Sequence, residues 1–125
     1  MVCLDSSILI SLFRNPSGPG SSEAKEAIAA EEACLCGQVW IEVVGGYRSE
    51  PRRRAFAELM RDYPWLDTPR EAYELAAEWV AKYRGIGPGD ALIAATVVLN
   101  QASLLTVDAG FRPLAKEGLK LQPVR

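Results

Sequence analysis

Four acidic residues lie inside apolar segments of this chain, where carboxylates are uncommon: Asp5, Glu42, Asp90 and Asp108. The other acids lie mostly among polar or small neighbours. Burying an ionised carboxylate without a partner costs several kcal/mol, and the segments around these four contain no histidine and few basic residues. A shared divalent cation is the simplest counter-charge, because oxygen ligands suit Mg²⁺ or Mn²⁺. The four residues are therefore candidate metal ligands and candidate catalytic residues.

A structural explanation of the same acids remains open on the sequence alone. Asp is a favoured helix N-cap residue, and Pro88-Gly89 just before Asp90 is typical of a turn, so Asp90 is equally a candidate cap. The acids can also pair with three arginines: Arg14, Arg48 and Arg112. In that case they would stabilise the fold and carry no chemistry.

Short apolar runs alternate with helix-like stretches along the chain. Strands are expected at 2–4, 33–36 and 103–107, with weaker candidates near Trp65 and at 119–121. Helices are expected at 6–13, 21–32 and 39–47, from Pro51, at 69–83 and at 91–99, and in a short segment up to Lys116. This alternation favours a single α/β domain over residues 1–125 with a mostly parallel central sheet.

The predicted topology brings the acids to one edge of that sheet. Ligand sites of parallel sheets gather outside the carboxyl ends of the strands, and Asp5 and Asp108 follow two predicted strands. Asp90 begins the buried helix, and helix N-termini lie at the same edge in right-handed βαβ units. Glu42, on the helix after the second strand, can reach there too. Carboxylates that hold a cation in this way can promote phosphodiester hydrolysis without a histidine base.

Composition excludes several other kinds of site. The chain has 125 residues, a net charge of −2, three cysteines and no histidine, so His-ligated zinc and His-based triads are absent. Cys34 and Cys36 are too close in sequence for a zinc knuckle, and free buried thiols are expected. No apolar run approaches the length of a membrane span, and Asp5 interrupts the N-terminus too early for a signal peptide. We therefore expect a cytoplasmic protein.

Four fragments, in this order, resemble the PIN-domain family and, within it, the VapC-type toxins of toxin–antitoxin pairs. They are Val2-Cys3-Leu4-Asp5-Ser6-Ser7-Ile8-Leu9-Ile10, Trp40-Ile41-Glu42-Val43-Val44-Gly45, Asp90-Ala91-Leu92-Ile93-Ala94-Ala95 and Leu105-Thr106-Val107-Asp108-Ala109-Gly110-Phe111. The resemblance implies a three-layer α/β/α fold and an endoribonuclease that depends on Mg²⁺ or Mn²⁺. It also implies a cognate antitoxin that blocks the enzyme, and homodimers are common in the family.

The resemblance also assigns roles to individual residues. Asp5, Glu42, Asp90 and Asp108 correspond to the acidic quartet of the family. Ser6 or Ser7 would orient Asp5 or a metal-bound water, and Thr106 would be a nearby polar helper. The family usually has threonine where this chain has Ser6, and many members have a polar or acidic residue where it has Gly110.

Two further features have a functional and an ordinary interpretation. Arg52, Arg53 and Arg54 follow Arg48 at a predicted helix start, where the helix dipole disfavours cations. They are candidate contacts to RNA phosphates, or else a solvated face. Trp65, in a predicted loop, is a candidate partner contact.

Two rival functions remain. One is a receiver-type signalling domain, which needs adjacent acids after the first strand and a lysine after the last. Here the first strand is followed by Asp5-Ser6-Ser7 and the last by Asp108. The other is a PIN-like module that binds proteins and has no catalytic activity.

Overall fold

Four short strands form the central sheet of the computed structural model, which describes residues 1–125. They are β1 (Val2–Leu4), β2 (Ala33–Cys36), β3 (Trp65–Leu66) and β4 (Ser103–Leu105). All neighbouring strands are parallel, in the order β3-β2-β1-β4. Every residue of β1 and β2 is buried, which explains why these strands appear in the sequence as continuous apolar runs.

Helices cover the sheet and complete a three-layer α/β/α arrangement, as predicted. The α-helices are α1 (Ser6–Arg14), α2 (Ser21–Ala29), α3 (Gly37–Val44), α4 (Glu50–Met60), α5 (Arg70–Lys82) and α6 (Pro88–Leu99), and a 3-10 helix spans Ala109–Glu117. No helix has both the length and the apolarity needed to cross a lipid bilayer.

Helix α6 lies at the centre of the core, as its composition predicts. Most of its residues from Ala91 to Val97 are fully buried. Its one buried polar side chain, Thr96, donates a hydrogen bond to the carbonyl oxygen of Leu92 at 2.7 Å and lies 3.2 Å from the hydroxyl of Thr68. These contacts satisfy the hydroxyl, so the helix can be buried at little polar cost.

The three cysteines are free and buried, as expected. Cys3 on β1 is the register partner of Cys34 on β2. They belong to the apolar core that joins the sheet to its helices.

Several boundaries differ from the sequence predictions. Helix α6 begins at Pro88 with Gly87 as its N-cap, so Asp90 is the third helical residue and not the cap. Proline favours this outcome because the first helical residues need no N–H partner. Helix α3 starts at Gly37, directly after β2, and not at residue 39. The segment 119–121 forms a single parallel bridge between Leu104 and Leu121 and not a strand.

Candidate active site

Asp5 lies directly after β1 at the carboxyl edge of the sheet and is 2 % exposed. Its Oδ2 accepts hydrogen bonds from the hydroxyls of Ser7 at 2.8 Å and Thr106 at 2.7 Å. The Ser6 hydroxyl oxygen lies 3.4 Å from its Oδ1. Hydrogen bonds to an ionised group are stronger than those between neutral groups. The two hydroxyls thus fix a buried carboxylate that has no cation beside it.

The same hydroxyls hold the loop after β4 against the start of α1. The Thr106 hydroxyl accepts a hydrogen bond from the backbone N–H of Asp108 at 3.0 Å. The Ser7 hydroxyl accepts one from the N–H of Val107 at 3.3 Å. Asp108 is therefore placed by the contacts that also fix Asp5.

Glu42 lies on α3 and is partly buried. Its Oε1 accepts a hydrogen bond from the Ser6 hydroxyl at 2.9 Å, and its Oε2 accepts one from the amide of Gln38 at 2.9 Å. Gln38 is one turn earlier on the same helix, so the two side chains lie on one face. Ser6 thus links Glu42 to the surroundings of Asp5.

Gly89 brings the first turn of α6 close to Glu42. A Cβ at this position would lie 2.8 Å from Oε2 of Glu42 and 3.1 Å from Nε2 of Gln38. Only glycine permits this approach without moving the carboxylate. Sequence reasoning missed both supporting residues: Gln38 could have been found from its spacing to Glu42, whereas Gly89 resembled part of a turn.

Asp90 is partly buried, and its pKa is raised to about 6. Burial is the largest cause, followed by the negative charges of Asp5, Asp108 and Glu42. The three other acids of the predicted quartet therefore lie close enough to Asp90 to repel its ionised form.

Asp108 is exposed and is the N-cap of the 3-10 helix. Its Oδ1 accepts a hydrogen bond from the backbone N–H of Gly110 at 2.8 Å. The capping explanation thus holds for Asp108 but not for Asp90, which lies inside α6.

The explanation by ion pairs is wrong for all four acids. The six ion pairs of the molecule involve other carboxylates, and Arg14, Arg48 and Arg112 take part in none of them. The acids are satisfied by hydroxyl, amide and backbone donors, and Asp90 is destabilised by its neighbours' charges.

The sequence model of the PIN-domain family matches residues 2–117, which is nearly the whole chain. The chain belongs to the PIN-domain family. Its membership rules out the receiver-domain alternative, which rests on a different fold family.

Solved structures share the fold of this PIN domain at low sequence identity. VapBC2 from Rickettsia felis, bound to a DNA fragment from its promoter, aligns with a TM-score of 0.76 at 18 % identity over 100 % of both chains. VapBC-1 from nontypeable Haemophilus influenzae aligns with a TM-score of 0.77 at 19 % identity over 98 % of this chain and 97 % of that one. A toxin–antitoxin complex from Klebsiella pneumoniae aligns with a TM-score of 0.70 at 24 % identity over 89 % and 90 %. No curated protein sequence matches the chain.

The donor set of this PIN domain suits a hard divalent cation. It consists of carboxylate and hydroxyl oxygens without nitrogen or sulfur, and the mutual repulsion that raises the pKa of Asp90 is what a cation would relieve. No three acidic side chains converge closely enough to form a ready-made cation site.

The arginines predicted as RNA contacts fall into two groups: those bound to other groups of the protein and those that form no ion pair. The Arg53 guanidinium donates to the carbonyl oxygen of Tyr47 at 2.8 Å and to that of Arg48 at 3.4 Å, so it holds the connection between α3 and α4. Arg54 pairs with Glu50 one turn away. Arg48 and Arg52 are exposed and form no ion pair.

Proposed function

We propose that this PIN domain is a metal-dependent endoribonuclease that hydrolyses RNA phosphodiester bonds, and that it is the toxin of a type II toxin–antitoxin pair. The observation that carries the proposal is the electrostatic coupling of four carboxylates at one sheet edge, with no cationic side chain to balance them. Asp5 is buried and Glu42 and Asp90 are partly buried, and placing these carboxylates together without a cation has a cost that folding alone does not explain.

Asp5, Glu42, Asp90 and Asp108 would hold Mg²⁺ or Mn²⁺, directly or through water. When bound, the ion would supply positive charge at the scissile phosphate and make a water molecule more acidic. The chain provides no histidine for acid–base work, and in this proposal the carboxylates are the groups that would transfer protons.

The residues around the acids have separate positioning roles in this proposal. Ser7 and Thr106 fix Oδ2 of Asp5, and Ser6 and Gln38 fix the two oxygens of Glu42. A site that is held in place before substrate arrives loses less energy to reorganisation. Burial and the negative charges of its neighbours raise the pKa of Asp90 to about 6, and cation binding would favour its ionised form.

We propose a cognate antitoxin as the protein partner. The solved structures with this fold include VapBC proteins from Rickettsia felis and Haemophilus influenzae and a toxin–antitoxin complex. Their low identity to this chain makes them support for the proposal through the shared fold. A homodimer remains a prediction from the family resemblance, which light scattering of the purified protein would test. The cytoplasmic location remains a prediction from the apolar pattern of the sequence.

A PIN-like binding module without catalytic activity is the second candidate. It is favoured by the lack of a ready-made site with three converging acids. The two candidates differ in whether the purified protein cuts RNA.

The test is cleavage of a mixed RNA pool by the wild type and by Asp90→Asn, with Mg²⁺, with Mn²⁺ and with EDTA. Asn is nearly isosteric, and Asp90 does not cap α6, so the exchange removes the charge and leaves the helix start intact. Asp62→Asn is the matched control, because Asp62 is exposed and lies away from the quartet in sequence. We expect cleavage that requires the metal, is retained by Asp62→Asn, and falls about 100-fold or more in Asp90→Asn.

Two results would count against the proposal. Equal cleavage by the wild type and Asp90→Asn would remove Asp90 from the site. No cleavage by any of the proteins with either metal would favour the binding module.

A further inference from the structure

A pocket of about 370 Å³ opens beside Asp108, at the carboxyl end of β4. One wall is the loop after β4, including Thr106 and Val107. Thr106 also donates to Asp5, so the pocket and the acidic cluster share a wall. Pro19 and Val124 also line the pocket. We name it the Arg112 pocket, after the cation that lines it.

The pocket is lined by apolar side chains and by the polar side chains of Thr106, Asp108, Arg112 and Gln122. Val107 and Val124 line it and keep 44 % and 37 % of their surfaces exposed. Gln122 lines it too, and its amide nitrogen is held by the hydroxyl of Ser103 at 2.8 Å. Apolar surface with a few polar groups, at this volume, is typical of a site for a small molecule.

Arg112 is a free positive charge in the same pocket. It is exposed, belongs to the 3-10 helix that Asp108 caps, and forms no ion pair although Asp108 lines the pocket with it. A substrate polyanion is repelled by four nearby carboxylates and needs cations on the rim of the site. An arginine can bind a phosphate through two parallel hydrogen bonds.

We propose that the Arg112 pocket holds the nucleobase of a nucleotide that flanks the scissile phosphate, with Arg112 on that nucleotide's own phosphate. The inference rests on the proposed ribonuclease function. A base can enter such a pocket only when it is unstacked, so the inference applies to RNA in which this base is unpaired. The volume suits one base better than a helical peptide segment, which would need a longer groove.

The first test measures RNA binding without cleavage. A short fluorescent single-stranded RNA is titrated in EDTA with the wild type, Arg112→Gln and Lys116→Gln, and anisotropy is recorded. Lys116 lies on the same 3-10 helix, is exposed and forms no ion pair, so the two variants change the net charge equally. We expect Arg112→Gln to weaken binding about 10-fold and Lys116→Gln less than about 2-fold. Equal losses, or no loss, would overturn the inference.

The second test locates the base. The substrate RNA is prepared with one abasic nucleotide at successive positions around the cleaved bond, and kcat/KM is measured with Mg²⁺ or Mn²⁺. We expect one flanking abasic position to lower kcat/KM of the wild type about 10-fold and to have much less effect on Arg112→Gln. The same loss in both proteins, or no sensitive position, would overturn the inference.

The two proposals can fail separately. A wild type that cleaves RNA while Arg112→Gln behaves like Lys116→Gln keeps the ribonuclease and rejects the pocket. A wild type that never cleaves rejects the ribonuclease, and the anisotropy series then decides whether the pocket binds RNA at all. A loss of antitoxin binding in Arg112→Gln with unchanged RNA binding would assign the pocket to a protein contact and overturn the inference.

Discussion

Within the acidic cluster, the pair Asp5 and Glu42 is held differently from Asp90. Each carboxylate oxygen of Asp5 and of Glu42 lies within hydrogen-bond distance of a hydroxyl or amide donor. Asp90 is shifted by burial and by its neighbours' charges, with no hydrogen bond to offset them. The first pair is therefore fixed by the folded protein, whereas Asp90 is the member whose state a cation would change most.

The largest expected effect on stability concerns the hydrogen bonds that fix Asp5. Thr106→Val removes the hydroxyl that donates to Asp5 at 2.7 Å and leaves a side chain of similar shape. We expect the free energy of unfolding to fall by about 2 kcal/mol, because the lost hydrogen bond is to a charged, buried acceptor. Urea denaturation measures the change.

Thr68→Val is the matched control for that experiment. The Thr68 hydroxyl contacts only the neutral hydroxyl of Thr96, at 3.2 Å, so its removal should cost about 1 kcal/mol or less. Equal losses in the two variants would show that Asp5 gains nothing special from Thr106.

A smaller effect on the free energy of unfolding, of opposite sign, is expected at Asp90, which its neighbours' charges repel. Folding raises the pKa of Asp90 above its ordinary value to about 6, so the native state binds more protons than the unfolded state between about pH 4 and pH 6. The stability contributed by Asp90 is therefore present below pH 4 and is lost as the pH rises through 6. In metal-free protein, Asp90→Asn should remove this loss of stability at rising pH.

At pH 7 we expect Asp90→Asn to stabilise the metal-free protein by about 1 kcal/mol, after allowing for screening of a partly exposed group. This corresponds to a rise in Tm on the order of 4 °C. The variant and the wild type should converge near pH 4. If the Tm difference between the wild type and Asp90→Asn is the same at pH 4 and at pH 7, the predicted repulsion of Asp90 is contradicted.

The smallest effect on stability should accompany a clear effect on activity. Gly89→Ala places a Cβ against the Glu42 carboxylate, which is the far end of a flexible side chain and can move. We expect little change in Tm, because alanine also favours the helix, and a fall in kcat of about 10-fold from the displaced carboxylate.

Gly87→Ala is the matched control, since a Cβ there meets nothing within 4 Å. It should keep the activity of the wild type. If both alanine variants are equally active, the close approach of α6 to Glu42 has no part in the chemistry.

The sequence predicts the sheet well because buried parallel strands leave a local signal. The apolar runs ending before Asp5 and near Asp108 are enough to place two acids at one edge. Helix α3 was also predictable as a helix, although its start at Gly37 was not, since glycine after a strand resembles a stop.

The contacts that support the site were not predictable, because they join distant parts of the chain. The hydrogen bond from Thr106 to Asp5 spans 101 residues, and that from Ser6 to Glu42 spans 36. The role of Gly89 depends on how closely α6 approaches α3. Arg53 resembled a free cation in the sequence, but it binds backbone carbonyls.

Calorimetric titration of Mn²⁺ at pH 7 into the wild type, Asp90→Asn and Asp62→Asn tests the central claim most directly. If the four carboxylates form a cation site, the wild type and Asp62→Asn bind Mn²⁺ saturably with equal affinity. Asp90→Asn then binds about 10-fold more weakly or worse. Equal binding by all three proteins, or no saturable binding by the wild type, would contradict the claim that the acidic cluster is a metal site.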